Sequence, residues 1–414
     1  MSNVFLKTYE LYRASYTGHS REVWDLAILT FINRLGTLVL PFLTVYLTTV
    51  LDFDLKDAGF LAGAFGFGSL GGSFLGGKLS DKLGANIVIV YSLLISGILL
   101  IFLQYTTTFY PLFSLIFLTA LFGEAYRPAM SAAVGSYVVP EETGRTMAFL
   151  RLAINLGFSA APALGGFIAS YLSYDWLFWI DGVSCILAAI YFWYVSRSWE
   201  EHEAPENGNV EYQTEIKKRK EVKAYLNPRF MLFLLITFLM AFGFVQWFHT
   251  IPVFIKSEWG FDERYLGIIM TLNGLLIVLI EMPAIDIIEK EKKINAAVNW
   301  GLALIGISFI FFLFTKSLVL CFVAMAFVTL GEILYLPFNN SEPLAMSPKA
   351  RRGEYMAWYW MTWSLANVLG PILGFSLISH IGYSMFWVLI FSISVLSFLL
   401  NFKLQKMPLN TVNY

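Results

Sequence analysis

"NIVIVYSLLISGILLIFLQY", residues 86–105, carries no charged side chain. A helix of that length rises about 30 Å, the thickness of the hydrocarbon layer of a bilayer, so the stretch reads as a transmembrane helix. Working outward, apolar stretches of similar length alternate with polar breaks along the chain. They make twelve spans, at approximately 27–48, 58–76, 86–105, 111–137, 146–171, 176–196, 230–255, 265–285, 295–315, 318–344, 355–379 and 384–403. Breaks such as "LDFDLKD", "PEETGR", "KSEWGFDER" and "SPKARRG" hold the charge and turn residues of a water interface. The 414 residues are 57% hydrophobic and 14% charged, against about 25% charged in soluble domains. The expected fold class is all-α integral membrane.

A net charge of −1, with basic residues scattered along the chain, gives no polyanion-binding face, so no nucleic-acid partner is expected. Cys185 and Cys321 lie inside apolar runs and read as free thiols. The first apolar run is too long for a signal-peptide core and is read as a retained span. Ahead of it, "VFLKTYELYRASYT" suits a short helix in the headgroup layer or an ordinary terminus equally well.

Lys and Arg orient the chain. With the N-terminus inside, the inner segments hold 21 of them and the outer loops 4. Both termini are therefore expected in the cytoplasm of a multi-pass cell-membrane protein, in a bacterium the inner membrane. The longest break contains "KKRK", read as a headgroup anchor. It divides the chain into a cytoplasmic segment 1–26, a six-helix bundle 27–196, a linker 197–229, a second six-helix bundle 230–403 and a tail 404–414.

Sliding the chain against itself by 208 residues aligns Phe53-Asp54 with Phe261-Asp262, Gly59 with Gly267 and Gly123-Glu124 with Gly331-Glu332. The same offset aligns Pro140 with Pro348, Gly166 with Gly374 and Phe178-Trp179 with Phe386-Trp387. Paired matches at one offset predict two pseudo-symmetric six-helix bundles in parallel repeat. A solute site is then expected at their interface, near mid-membrane.

The loop "GGKLSDKLGANIV" after the second span resembles that of the major facilitator superfamily, through Gly77, Leu79, Ser80, Asp81, Lys82 and Gly84. Ala85 and Asn86 depart from the family's basic pair. The fifth span's "NLGFSAAPALGGF" resembles the antiporter motif of the family's drug exporters, with Gly157, Pro162, Gly165 and Gly166 in register and Ala161 replacing a glycine. "NRLGTLVLPFLTVYL" and "FGEAYRPAMSAAVGSYVVPEETGR" are also similar to exporter-like members. These residues are expected to gate alternating access. Gly72, Gly77 and Lys78 mimic a phosphate-binding loop, but Leu79 stands where Ser or Thr must be and no strand precedes it, so no nucleotide or other cofactor is expected. Gly68, Gly72 and Gly76 instead space small residues for close helix packing.

Charges inside spans cost about 2.5 to 3.5 kcal/mol at a helix centre, and so point to partners or function. The candidates are Arg34, Glu124, Arg127, Arg151, Glu281 and Glu332. The family resemblance implies that the first, fourth, seventh and tenth spans line the cavity, which places Arg34, Glu124, Arg127 and Glu332 there. With Asn33, Gln246 and Tyr335 they form the expected solute site; Tyr46, Tyr126, Trp247 and Trp360 could add aromatic walls. Glu124 and Arg127, three residues apart, could equally neutralise each other. Glu332 has no cation in the following turn and is the expected proton carrier, with Glu124 and Glu281 as further candidates. Asp181 reads as ordinary capping of the sixth span, and His249 as a polar rim residue. Arg151 and Glu281 suit a bridge as well as a transport role.

The expectation is a monomeric secondary transporter, not an enzyme, handling a small-molecule solute and protons in the lipid bilayer. Proton-coupled efflux of amphipathic compounds leads. A proton-coupled importer of a small zwitterion such as a peptide stands beside it, because Arg34 lies in an "NR" pair where peptide symporters carry "ER".

Overall fold

The computed structural model describes residues 19–137, 143–199, 223–348 and 351–407. The leader 4–17, Pro140, the middle of the linker and the side chain of Asp81 lie outside the described residues. Every regular element among those described is helical. In chain order they are α1 (Arg21–Leu35), α2 (Leu43–Thr49), α3 (Leu55–Leu83), α4 (Ala85–Leu103), α5 (Phe109–Tyr137), α6 (Thr143–Tyr171) and α7 (Asp175–Ser196). There follow α8 (Pro228–Val245), α9 (Thr250–Ser257), α10 (Glu263–Lys290), α11 (Ile294–Ile310), α12 (Leu318–Met346) and α13 (Arg352–Lys406).

Among the described residues, eleven stretches are long and apolar enough to cross a membrane. The last, Glu354–Lys406, has 53 residues, far more than one crossing needs at 1.5 Å per residue. At Gly382 the backbone turns to φ 75°, ψ 167°, a conformation that suits a residue without Cβ and divides the helix in two. Counted as two crossings, it brings the total to twelve.

Two expected spans are not continuous helices. The first breaks between α1 and α2, where Gly36 to Val39 leave the helical path and Leu40–Phe42 form a short 3-10 turn with Pro41 inside it. Pro41 has no N–H to give to a helical ladder. Gly36 packs so tightly on Ser184 of α7 that a Cβ would collide with its hydroxyl. The seventh span breaks between α8 and α9 at Gln246–His249. There the Gln246 carbonyl accepts three N–H groups, from His249 at 3.3 Å and from Thr250 and Ile251 at 3.0 Å.

The chain forms two compact units, Met1–Ala204 with Pro252–Leu279, and Pro205–Ile251 with Ile280–Tyr414. The stretch Pro252–Leu279, which holds α9 and the first part of α10, thus packs with the first unit. In that unit Gly68, Gly72 and Gly76 lay α3 directly on the backbone of α5, at Phe117, Leu121 and Ala125, as the spacing predicts. A buried core of Leu26, Leu29, Ile89, Leu93, Ala129, Val134 and Phe192 ties α1, α4, α5 and α7 together.

Candidate functional site

Asp181 holds the break in the first span. It sits in the second turn of α7 rather than at its start, and is buried. Its Oδ2 accepts the backbone N–H of Leu38 and of Val39, each at 3.2 Å. Those are the donors that the interruption leaves without helical carbonyls, and an unpaired buried N–H costs about 1 to 3 kcal/mol. The capping expected of Asp181 within its own helix is therefore corrected: it caps another helix, across the packing interface. Cys185, one turn on, places its Sγ 3.9 Å from Oδ1 and accepts from the Asn33 amide at 3.6 Å.

Just before the break, α1 presents Arg34 towards α5 and α6. Its Cζ lies 5.3 Å from the centre of the Phe158 ring on α6, and the charged side chains whose fields reach it most strongly are Arg127 and Glu124 on α5. Those two form an ion pair at 2.8 Å, with Glu124 nearly buried and the Arg127 side chain 56% exposed. Thr30 and Tyr126 share a buried hydrogen bond at 3.0 Å that joins α1 to α5. Arg34, Glu124 and Arg127 thus lie within one another's fields in the first unit, while the Asn33 amide is turned to Cys185 of α7. Arg151 is exposed on α6.

The glycine and proline motif of α6 works on two sides. A Cβ on Gly157 would sit 2.6 Å from the Cβ of Arg34, and one on Gly165 would sit 2.8 Å from the Phe42 ring, so this side receives the broken first span. On the other side Gly166 lies against the Glu263 carbonyl, and Gly267 against the carbonyl of Pro162. Backbones therefore approach closely between α6 and α10. Polar contacts fasten the same region: Glu263 accepts from Tyr174 at 2.5 Å and pairs with Lys256 at 2.9 Å. Burial and the neighbouring Glu263 carboxylate both push the Tyr174 phenol up. Arg264 binds Asp262 and donates to Tyr171 at 2.7 Å. Of these residues only Asp262 was singled out from sequence, as the repeat match of Asp54; the signal for the others was the "KSEWGFDER" loop, dense in charge between two apolar runs.

In the second unit Gln246 is fully buried, 0% exposed, and its amide donates to the carbonyls of Phe242 at 2.9 Å and Gly370 at 3.2 Å. Tyr335 is buried as well. Neither side chain reaches open space in this conformation; both hold helices. Asn339 links Thr237 at 3.1 Å to Tyr359 at 3.1 Å, a buried polar chain that sequence reading passed over. Glu332 and Glu281 are partly buried on α12 and α10. His249 is buried at the α8 to α9 break, not on an exposed rim.

At the loop after α3, Gly84 adopts φ 89° and serves both as the end of α3 and the start of α4. The positive φ is the reason that position takes glycine. Gly77 faces open space and Lys82 is exposed. A separate cavity of about 650 Å³ lies at the far ends of α4 and α7, lined by Gln104, Tyr105, Ser173, Asp175, Trp176 and Trp179. It contains none of the intramembrane charges and is set aside as a solute site. Among the described residues no cluster of His, Cys, Asp and Glu could hold a metal ion, and Cys185 and Cys321 are free and buried.

Comparison with known proteins fits this architecture. A Bacillus subtilis (strain 168) protein named multidrug resistance protein 2 is 25% identical over 352 residues, covering 83% of this chain and 85% of its own. A Planococcus maritimus protein named a Na(+), Li(+), K(+)/H(+) antiporter is 23% identical, covering 89% of this chain and 91% of its own. Among solved structures, a POT family transporter in complex with 5-aminolevulinic acid superposes with a TM-score of 0.76 at 15% identity, covering 94% of this chain and 98% of that one. That likeness is one of fold. The family model described as Major Facilitator Superfamily matches residues 26–342, and the chain therefore belongs to that superfamily of membrane transporters.

Proposed function

We propose that the chain is a secondary active transporter that moves a small amphipathic organic solute by alternating access and expels it in exchange for protons. The observation that carries this reading is the gathering of Arg34, Glu124 and Arg127 within one another's fields inside the spans, where isolated charges are costly unless used. The exporter-like relative at 25% identity supports efflux. Arg34, Asn33, Glu124, Arg127 and Glu332 contact the solute in this reading, while Gln246 and Tyr335, buried in the second unit, hold its helices. Glu332 carries the coupling proton, with Glu124 and Glu281 as alternates.

Gating follows the same division. Gly157, Pro162, Gly165 and Gly166 let α6 slide against α1 and α10, and the Glu263, Tyr174 and Lys256 latch releases when the outer side opens. Gly77, Asp81, Lys82 and Gly84 form the hinge of the inner side. Both termini are cytoplasmic and the working unit is a monomer. A panel of labelled amphipathic solutes in inside-out and right-side-out vesicles, with an imposed pH gradient, tests the reading. Proton-driven accumulation in inside-out vesicles is expected. Accumulation of a dipeptide in right-side-out vesicles instead would favour the second reading, import of a small zwitterion, to which the "NR" pair at Asn33-Arg34 lends its support.

A further inference from the structure

We infer that the solute presents an anionic group, a carboxylate or its phosphonate or sulfonate counterpart, to Arg34; this rests on the transport reading above and names the chemical class it handles.

Arg127 has its counter-ion in Glu124 at 2.8 Å. Asp181, the other nearby carboxylate, is occupied by Leu38 and Val39 N–H on one oxygen and by Cys185 near the other. The Arg34 side chain has no ion pair or hydrogen bond among the described residues, and its Nε is buried without a partner. Its closest favourable contact is the face of Phe158. The end of α1 offers a partial negative charge to a cation in its last turn, but the free carbonyls there receive no hydrogen bond from Arg34.

A guanidinium held inside the membrane with no carboxylate in contact, sharing the field of Glu124 with Arg127, has its hydrogen-bonding fork unfilled. Its planar fork matches two parallel bonds to a carboxylate or phosphonate and repels an ammonium group. Phe158, stacked beside it, offers an apolar face to the body of the same molecule. An amphipathic acid fits both features, whereas a lipophilic cation would meet Arg34 and the half-exposed Arg127 with like charge.

The test uses the full chain in detergent micelles and three probes with one ring system: 1-naphthylacetate, its neutral primary amide and 2-(1-naphthyl)ethylamine. Binding is read from the concentration dependence of the thermal midpoint. The acid is expected to bind about tenfold or more tightly than the amide, as charge-assisted bonds require, and the amine more weakly than either. Arg34→Gln is expected to erase the acid-to-amide ratio while leaving the amide within about twofold, and Arg34→Lys to keep part of the ratio. If Arg34→Gln does not fold, the ratio in the parent and in Arg34→Lys decides. Tighter binding of the amine than of the acid, an unchanged ratio in Arg34→Gln, or no binding of the acid to the parent overturns the inference. Gradient-driven flux of amphipathic cations alone would leave the transport reading standing and sink this one. Failure of every solute to move would sink the transport reading, while the binding ratio still decides the charge class.

Discussion

The two interrupted spans solve one problem with different chemistry. α1 stops at Leu35 and α2 begins at Leu43; α8 stops at Val245 and α9 begins at Thr250. The two breaks fall within two residues of the 208-residue offset that aligns the sequence features. In the first, the stranded N–H groups of Leu38 and Val39 are taken by a carboxylate from a neighbouring helix, Asp181. In the second, at the position matching Leu38, the carboxamide of Gln246 ties α8 to the backbone of α13, and its own carbonyl gathers the following N–H groups. One break is held by a carboxyl group reaching from a neighbouring helix, the other by an amide of its own span. The first depends on one side chain from outside the span, so it should be the more easily ruined by a single substitution.

The largest effect is expected from Asp181→Leu. It strands the buried N–H of Val39, at about 1 to 3 kcal/mol, leaves that of Leu38 only its short turn to the Gly36 carbonyl, and should lower the thermal midpoint of the purified protein sharply and end transport. Asp181→Asn keeps an accepting oxygen and removes the charge, which makes the first break resemble the second; a loss of only about 1 kcal/mol is expected. Equal midpoints for Asp181→Leu and the parent would show that the carboxylate does not hold the break.

Next in size is a comparison of the symmetry-matched carboxylates. Glu124 is tied to Arg127 at 2.8 Å, so Glu124→Gln should damage both uphill transport and solute exchange at equal pH. Glu332→Gln should abolish uphill transport driven by a proton gradient and spare exchange. Uphill accumulation by Glu332→Gln would move the proton role to Glu281.

A smaller effect is expected from Gln246→Leu. The amide gives up its bonds to Phe242 and Gly370, but the Gln246 carbonyl still accepts from Thr250 and Ile251, so a loss of about 1 to 2 kcal/mol in thermal unfolding is expected. A loss as large as that of Asp181→Leu would erase the distinction between the two breaks.

These breaks mark where sequence reading stops. The number and length of spans were legible because lipid demands a long uncharged run, and the glycine stripe of α3 and the motif of α6 were legible because close backbone contact admits little else. Glu124 with Arg127 was legible from helical spacing alone. The role of Asp181 was not: its partners are backbone groups 142 and 143 residues away, and no local pattern announces a carboxylate that caps a different helix. Gln246 misled for a related reason. A polar side chain on a span said to line the cavity reads as a solute contact, whereas packing turned it to the carbonyl of Gly370. Hydropathy reports what faces lipid, and leaves open which neighbour a buried polar group finds.

The smallest effect concerns the matched turns Phe53-Asp54 and Phe261-Asp262, which repeat the contrast at the ends of α3 and α10. Asp54 accepts the Asp57 N–H at 2.7 Å and does nothing further in the way of ion pairing. Asp262 accepts the Arg264 N–H at 3.0 Å and also binds its guanidinium, at 2.8 Å through Nε. The hydrogen bonds from the Arg264 side chain hold the Asp262 carboxyl below its ordinary value. A carboxyl lowered on folding adds stability above its unfolded pKa, near 4, and loses it as pH falls through the lower folded value. Asp262→Asn should therefore lower the thermal midpoint slightly at pH 7, by about 1 °C given the solvent around the pair, and the gap to the parent should close as pH falls below about 4. A gap that persisted unchanged to pH 3 would mean that Asp262 acts only as a neutral cap, as any good acceptor at that turn would, and that the two turns do not differ in charge chemistry.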